Sequence, residues 1–304
     1  MSSKEFDAFG PWIVPVRTVD EVPRLFRAAE LEPAAFRLVL KVPRNIERRD
    51  ANPAMDLYDV LIAVGDELLT VLTRTASGYA TVRLPFDRIV AIEDSVRMLD
   101  GRYTLHTLDG PPIAIRYNGS SRPLVLELTR LLRESYLPFG VVPGPDVARP
   151  EPYLGPSDIA LVKAYREVVA QEPGMWVVHA AARRVVSPAA GPFSPIVQRL
   201  RPMTMHASIV VGDDREIQVL HRRDWFTPAG DDHSLARTIL ARPRITAAAV
   251  EDHPRYRGIG VVTMRVGASV LAVPVPDGPE LDAFLGAMRL SRADFPTYRS
   301  KALS

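Results

Sequence analysis

The feature that most constrains this chain is a plan written twice, over residues 58–135 and again over 206–291. The first copy opens with two apolar runs, 58–66 and 67–74, that meet at a Gly65-Asp66 turn signal. The second opens with runs 206–214 and 215–222, broken at Gly212-Asp213. Each pair of runs predicts a β-hairpin. Residues 83–94 and 241–252 then predict a proline-led strand in each copy, both ending in Glu-Asp. A second hairpin follows in each. Residues 103–108 alternate apolar and polar side chains, turn at Asp109-Gly110 and return over 113–117; the counterpart is 261–266, Gly267 and 270–273. Period two with glycine at the turn is the pattern of half-buried antiparallel strands.

Each copy closes on a helix with the same opening. Ser121 stands two residues before Pro123 and Asp277 two before Pro279, so a capping side chain precedes a first-turn proline. Asp277 and Glu280 also have capping-box spacing. Leu124, Leu128, Leu131 and Leu132 share one face of the first helix, and Leu281, Phe284, Leu285 and Met288 one face of the second. Such a stripe needs cover, and the open end of its own curled sheet is the expected partner.

Antiparallel strands closing toward a barrel, with one C-terminal amphipathic helix as the plug, resemble the bacterial form of the pleckstrin-homology-like (PH-like) fold. The residues that carry this are 61–74, 84–94, 103–117 and 121–134 with their partners in the second copy. The likeness is architectural, and the repeated order is what makes it specific. It implies a mainly β, α+β chain of two tandem PH-like barrels, each capped by its helix. Residues 41–62 also look like the opening of a bacterial protein family without an assigned activity.

The expected organisation is an N-terminal extension with the first domain (1–137), a Pro/Gly-rich linker (138–156) and a helix with the second domain (157–304). Residues 9–27 mix aromatics with prolines and are too apolar for a free tail, so they are expected to pack on the first domain. Residues 36–42 predict its first strand. Ser157 is the expected cap of a helix carrying Ile159, Val162, Tyr165, Val168 and Val169, ended by Pro173, and residues 175–180 predict the second domain's first strand. Residues 187–195 read as a small-residue loop, 227–234 as a polar insertion and 292–304 as a tail without pattern.

The composition is that of a globular protein, with 47% hydrophobic and 24% charged residues. A net charge of +2, with 19 basic and 20 acidic residues up to Pro150 and 19 and 16 after it, leaves no nucleic-acid footprint. Cysteine is absent, which excludes disulfides, thiolate metal sites and a cysteine nucleophile. The first residues lack an apolar core of signal-peptide length, and a cytoplasmic protein is expected.

Lys41, Arg44, Arg48 and Arg49 form the most concentrated charge in the chain. The PH-like resemblance implies a headgroup role for basic residues on the first strand and the loop after it, where these four fall. The pattern departs from that of phosphoinositide binders, which place a basic residue two before an arginine in the second strand. Here Arg48 and Arg49 are adjacent, and Glu47 and Asp50 offset half the charge. Local ion pairs that order the loop explain the same residues. Arg222, Arg223, Trp225 and Phe226 predict an aromatic-basic hairpin tip able to meet a partner or membrane surface, or to fold back on its own domain.

Asp231, Asp232 and His233, Asp252 and His253, and His221 with Asp224 offer imidazole and carboxylate groups, but without metal-ligand spacing. Nucleophile-elbow and phosphate-loop motifs are missing. Trp12 and Trp176 read as core. These residues favour a non-catalytic protein without metal or cofactor that binds a protein or peptide along a strand edge or beside each C-terminal helix. Self-association would use the same edges. Peripheral binding to anionic lipid through residues 41–49 is the alternative. An enzyme built on Asp231, His233 or His253 is the third.

Overall fold

The computed structural model describes residues 4–137, 151–172, 174–189, 202–228 and 232–288. The linker residues 138–150, Pro173, the later part of the 187–195 loop, Asp231 and the tail from 289 lie outside them. The described chain is mainly β and divides into two compact units. Among the described residues, the first holds 4–89, 98–105 and 113–137; the second holds 90–97, 106–112 and those from 151 onward. No helix among the described residues is long and apolar enough to cross a membrane.

The first unit begins with a short helix α1 (Lys4–Asp7) and a two-residue strand β1 (Val14–Pro15). Strands β2 (Leu38–Pro43), β3 (Tyr58–Val64), β4 (Leu68–Thr75) and β5 (Gly78–Pro85) follow. Each strand pairs antiparallel with the next, giving a five-stranded sheet in the order β1-β2-β3-β4-β5. The hairpin expected at Gly65-Asp66 forms, with the Gly65 N–H donating to the Leu68 carbonyl at 3.0 Å. Residues 9–27 pack as expected: Phe9, Val16, Val22 and Phe26 share a core with Tyr58, Leu61 and Leu72. Trp12 does not join them and is 56% exposed, against its reading as core.

The proline-led strand expected over 83–94 is two strands. Pro85 ends β5, a 3-10 turn (Phe86–Arg88) redirects the chain, and β6 (Ile89–Arg97) runs on past the Glu-Asp pair. Proline at a strand end, where its missing N–H leaves no ladder bond unmade, explains the break. Strands β7 (Asp100–Thr107) and β8 (Ile113–Asn118) pair antiparallel over residues 100–105 and 113–118. Helix α2 (Arg122–Tyr136) buries Val125, Leu128, Leu131 and Leu132, one turn position away from the stripe that included Leu124. Ser121 does hold the N-cap position with Pro123 in the first turn, but its hydroxyl accepts the Ile13 N–H at 2.9 Å instead of capping.

The second unit opens with α3 (Ile159–Gln171), whose N-cap position is Asp158 and not Ser157. Ile159 is exposed, while Leu161, Val162, Tyr165 and Val168 are buried. Strands β9 (Trp176–Ala181), β10 (Arg184–Val186), β11 (Met203–Met205), β12 (Ser208–Gly212), β13 (Glu216–His221), β14 (Phe226–Pro228) and β15 (Leu235–Ala241) follow. The main sheet pairs β9-β12-β13-β15 antiparallel, and residues 91–96 of β6 add to the outer edge of β15. Strands β10, β11 and β14 form a small separate sheet that periodicity over three-residue segments did not announce.

After a 3-10 turn (Arg242–Arg244), β16 (Ile245–Asp252), β17 (Ile259–Val266) and β18 (Ser269–Pro276) make a three-stranded antiparallel sheet. Helix α4 (Pro279–Ala287) closes the unit. Its cap position is Gly278, one residue after Asp277, and Glu280 meets Arg184 at 2.7 Å, so the expected box is out of register. Leu281, Phe284, Leu285 and Met288 pack as predicted, against Val178, Val210, Ile217 and Leu240 of the main sheet and Val250, Val262 and Val273 of the three-stranded one. Helix α3 covers the other face through Ile209, Val211 and Leu220.

Strand order is therefore repeated: a four-strand meander (β2 to β5, β9-β12-β13-β15), a 3-10 turn, three strands and a helix. A closed barrel is not formed among the described residues; the meanders and the three-stranded sheet remain separate, open sheets. Tight turns of three 3-10 residues send the chain into a new sheet after each meander instead of continuing the old one.

Candidate functional site: an uncovered strand edge

Strand β5 is the last strand of its sheet, and among the described residues nothing pairs with its outer edge. Four consecutive residues, Ala80, Thr81, Val82 and Arg83, are exposed, so both faces of the strand meet solvent. β15, which holds the same place in the second meander, is buried from Ala236 to Ala241 because β13 pairs one edge and residues 91–96 the other. An edge strand offers a row of unpaired N–H and C=O groups, usually blunted by lysine, proline or a bulge. From Tyr79 to Val82, β5 carries none of these.

Beside this edge runs an open groove of about 790 Å³. Tyr79, Thr81 and Arg83 of β5 and Leu68, Thr70 and Leu72 of β4 form its floor, and Phe36 and residues 28–32 its wall. Alternation places Tyr79, Thr81 and Arg83 on one face. Tyr79 is held by an edge contact with Phe26, ring centroids 5.6 Å apart. Glu30, in the left-handed conformation at φ 50, turns the wall at the end of a 3-10 helix (Arg24–Ala29). A floor of mixed apolar and polar side chains, with charge at Arg83, Glu30 and Glu32, suits an extended chain, whose backbone takes the edge while alternate side chains enter the groove.

The basic residues at 41–49 are not brought together as a ligand site. Lys41 lies in β2, 8% exposed, with its Nζ donating to the Glu21 carbonyl at 2.9 Å and lying 5.1 Å from the centre of the Tyr58 ring. Burial depresses its pKa against the pull of Glu21 and Glu5. Arg44 donates to the Asp56 carbonyl at 3.2 Å and sits 3.9 Å from Asp59. Arg48 donates to the carbonyls of Phe6 and Phe9 and lies over the Phe6 ring at 4.4 Å, fastening the N-terminal segment. Arg49 is exposed and paired with Glu47 at 2.7 Å.

The aromatic-basic tip is folded back. Arg222 is 2% exposed and donates to Asp158 at 2.9 Å and to the Ser234 carbonyl at 2.7 Å. The Arg223 guanidinium reaches the Ser95 carbonyl at 3.0 Å. Trp225 stacks on His221 with centroids 4.4 Å apart, and Phe226, in β14, stacks on Tyr256 at 4.6 Å.

His233 is exposed, and His253 accepts the Arg255 N–H at 3.1 Å beside Phe226 and Tyr256. Among the described residues no group of three His, Cys, Asp or Glu side chains could hold a metal ion.

Sequence reasoning missed a buried polar cluster in the second unit. His106 Nδ1 meets Ser269 Oγ at 2.9 Å, and its Nε2 lies 3.6 Å from Glu93. The neighbouring His106 ring holds the Glu93 carboxyl below its usual range, with His221 and Arg223 adding to it. His221 Nδ1 faces the Arg222 carbonyl at 2.6 Å and so must carry the proton, which leaves Nε2 to accept from Thr238 Oγ1 at 3.2 Å. Glu93, His221, Trp225 and Thr238 line a cavity of about 80 Å³. Ser269 is buried and lies outside that lining. The cluster's members come from five distant positions, which no spacing rule links. The sequence matches no protein-family model and no curated protein sequence.

Proposed function

We propose that this chain is a non-catalytic binding or scaffold protein of two tandem PH-like domains that takes an extended segment of a protein partner on β5 and the groove beside it. One observation carries the reading: four residues of β5 stand exposed at an edge that is unpaired among the described residues, whereas the equivalent strand β15 is covered by residues 91–96 of β6. Backbone bonding supplies affinity at such an edge, and Tyr79, Thr81 and Arg83 supply side-chain choice. The repeated succession of meander, three strands and helix supports the PH-like assignment.

Lipid binding through residues 41–49 is the weaker reading, because Lys41, Arg44 and Arg48 spend their donors on carbonyl groups of their own unit. The test is a displayed library of extended peptides panned on the full chain, followed by hydrogen exchange with the strongest binder. Slowed exchange at the amides of residues 80–83 is expected. Binders that leave those amides unchanged would remove β5 as the site.

A further inference from the structure

We infer that the segment seated on β5 is strand β16 of a second copy of this chain, an inference that rests on reading β5 as a docking edge. The junction it needs is already present within the second unit. Residues 91–96 lie antiparallel on β15, from Ala91 opposite Leu240 to Val96 opposite Leu235. In chain order, β15 ends a four-strand meander and β6 is the strand that follows the 3-10 turn after the other meander.

The two remaining strands of the same kinds are β5, which ends its meander, and β16, which follows the turn after β15. Both lack a partner on one edge among the described residues: β5 pairs only with β4, and β16 only with β17. They also match in length, at eight residues each.

The edge of β16 is open in the same sense. Thr246 and Ala247 are exposed, and from Thr246 to Val250 the strand is Thr-Ala-Ala-Ala-Val, with no charge and no proline. Small side chains let a second strand approach closely, and the β-bulge between Ile245 and Ala247 confines irregular backbone to one end. Charges appear only at the other end, as Glu251 and Asp252. Edges with uncharged stretches as long as 79–82 and 246–250, guarded only toward one end by Arg83 and Pro85 or by Glu251 and Asp252, would be a hazard unless covered, and the β6 to β15 pairing is a worked instance of what covers them.

The contact is heterologous, β5 of one copy to β16 of the next, so each copy keeps one edge of each kind. Repetition gives a ring if the rotation closes and a filament if it does not.

The test uses the full chain, which has no native cysteine. Val82→Cys and Ala249→Cys are made as single variants and oxidised separately and mixed, beside sedimentation of the wild type over a range of concentrations. Expected are concentration-dependent oligomers and a disulfide-linked pair in the mixture alone. Thr246→Lys with Ala247→Lys, at exposed positions, should weaken association about tenfold or more. Cross-linking of Val82→Cys to itself would mean a β5 to β5 contact and overturn the inference. A chain that stays monomeric yet protects residues 80–83 with a library peptide also overturns it while leaving the docking edge standing; no protection and no association sink both.

Discussion

Arg222 and Asp158 meet at 2.9 Å inside the second unit, their side chains 3% and 0% exposed. Asp158 also holds Arg183 through two contacts of 2.8 and 3.3 Å, so one carboxylate at the start of α3 bridges two guanidinium groups. Removing it would leave Arg222 buried without its counter-charge. Asp158→Ala is expected to destabilise the protein by about 3–5 kcal/mol, the range for breaking a buried pair from one side. Arg183→Ala, whose side chain is 23% exposed, should cost less, roughly 1–3 kcal/mol. Urea unfolding of the two variants checks the ranking, and an equal or reversed order would contradict it.

Gly267 turns the chain between β17 and β18 at φ +56, and a Cβ there would come within 2.6 Å of both the Leu108 Cα and the Thr107 carbonyl oxygen. Both neighbours are backbone and cannot rotate away. Gly267→Ala therefore combines left-handed strain with a steric clash and should cost more than the ~1 kcal/mol of backbone strain alone. Gly258→Ala, at φ +68 with nothing within 4 Å, is the control that carries strain without the clash. Thermal unfolding should separate the two, and similar midpoints would show that the hairpin end yields.

Strand order was readable because its signals are local: Gly65-Asp66 and Gly212-Asp213 mark turns, and period-two runs flank them. The open edge of β5 was not, since its exposure depends on where residues 91–96 pair, and those lie opposite residues about 140 positions away. The same limit explains the Ser121 hydroxyl, a sound cap by its position, which the Ile13 N–H claims from 108 residues away. The basic loop showed its charge but not its partners, which are main-chain carbonyls of Phe6 and Phe9.

Those carbonyls predict how the loop responds to mutation. Arg48→Ala should release the N-terminal segment and cost roughly 1.5–3 kcal/mol, as for hydrogen bonds from a charged donor. Arg49→Ala removes an exposed pair with Glu47 and should cost within about 1 kcal/mol. Neither substitution, nor the two together, should alter sedimentation with anionic vesicles at low salt. Salt-sensitive pelleting of the wild type that the double variant abolishes would reinstate lipid binding through this loop.

Acid should weaken the fold before Glu93 or Asp232 is protonated. Burial depresses the pKa of His206 below 6.5, outweighing the pull of Asp232, and depresses His179, His221 and His253 in the same direction. His206 Nε2 meets Thr227 Oγ1 at 2.8 Å, while its buried Nδ1 has no hydrogen-bond partner among the described residues. These rings fold neutral, but the unfolded chain takes up their protons near pH 6.5. Between that pH and the folded values the unfolded state binds more protons, so stability falls as pH falls. Glu93, held down by His106, and Asp232, held down by Ser234 against its burial, lose their contribution only as pH drops below about 4.5 and 3.8, toward their lowered folded values. The interval from pH 6.5 to 5 thus belongs to the histidines. His206→Asn should flatten the slope of unfolding free energy there by up to about 1.4 kcal/mol per pH unit. An unchanged slope in urea titrations at pH 6.5, 6.0, 5.5 and 5.0 would mean that His206 carries its proton in the folded protein.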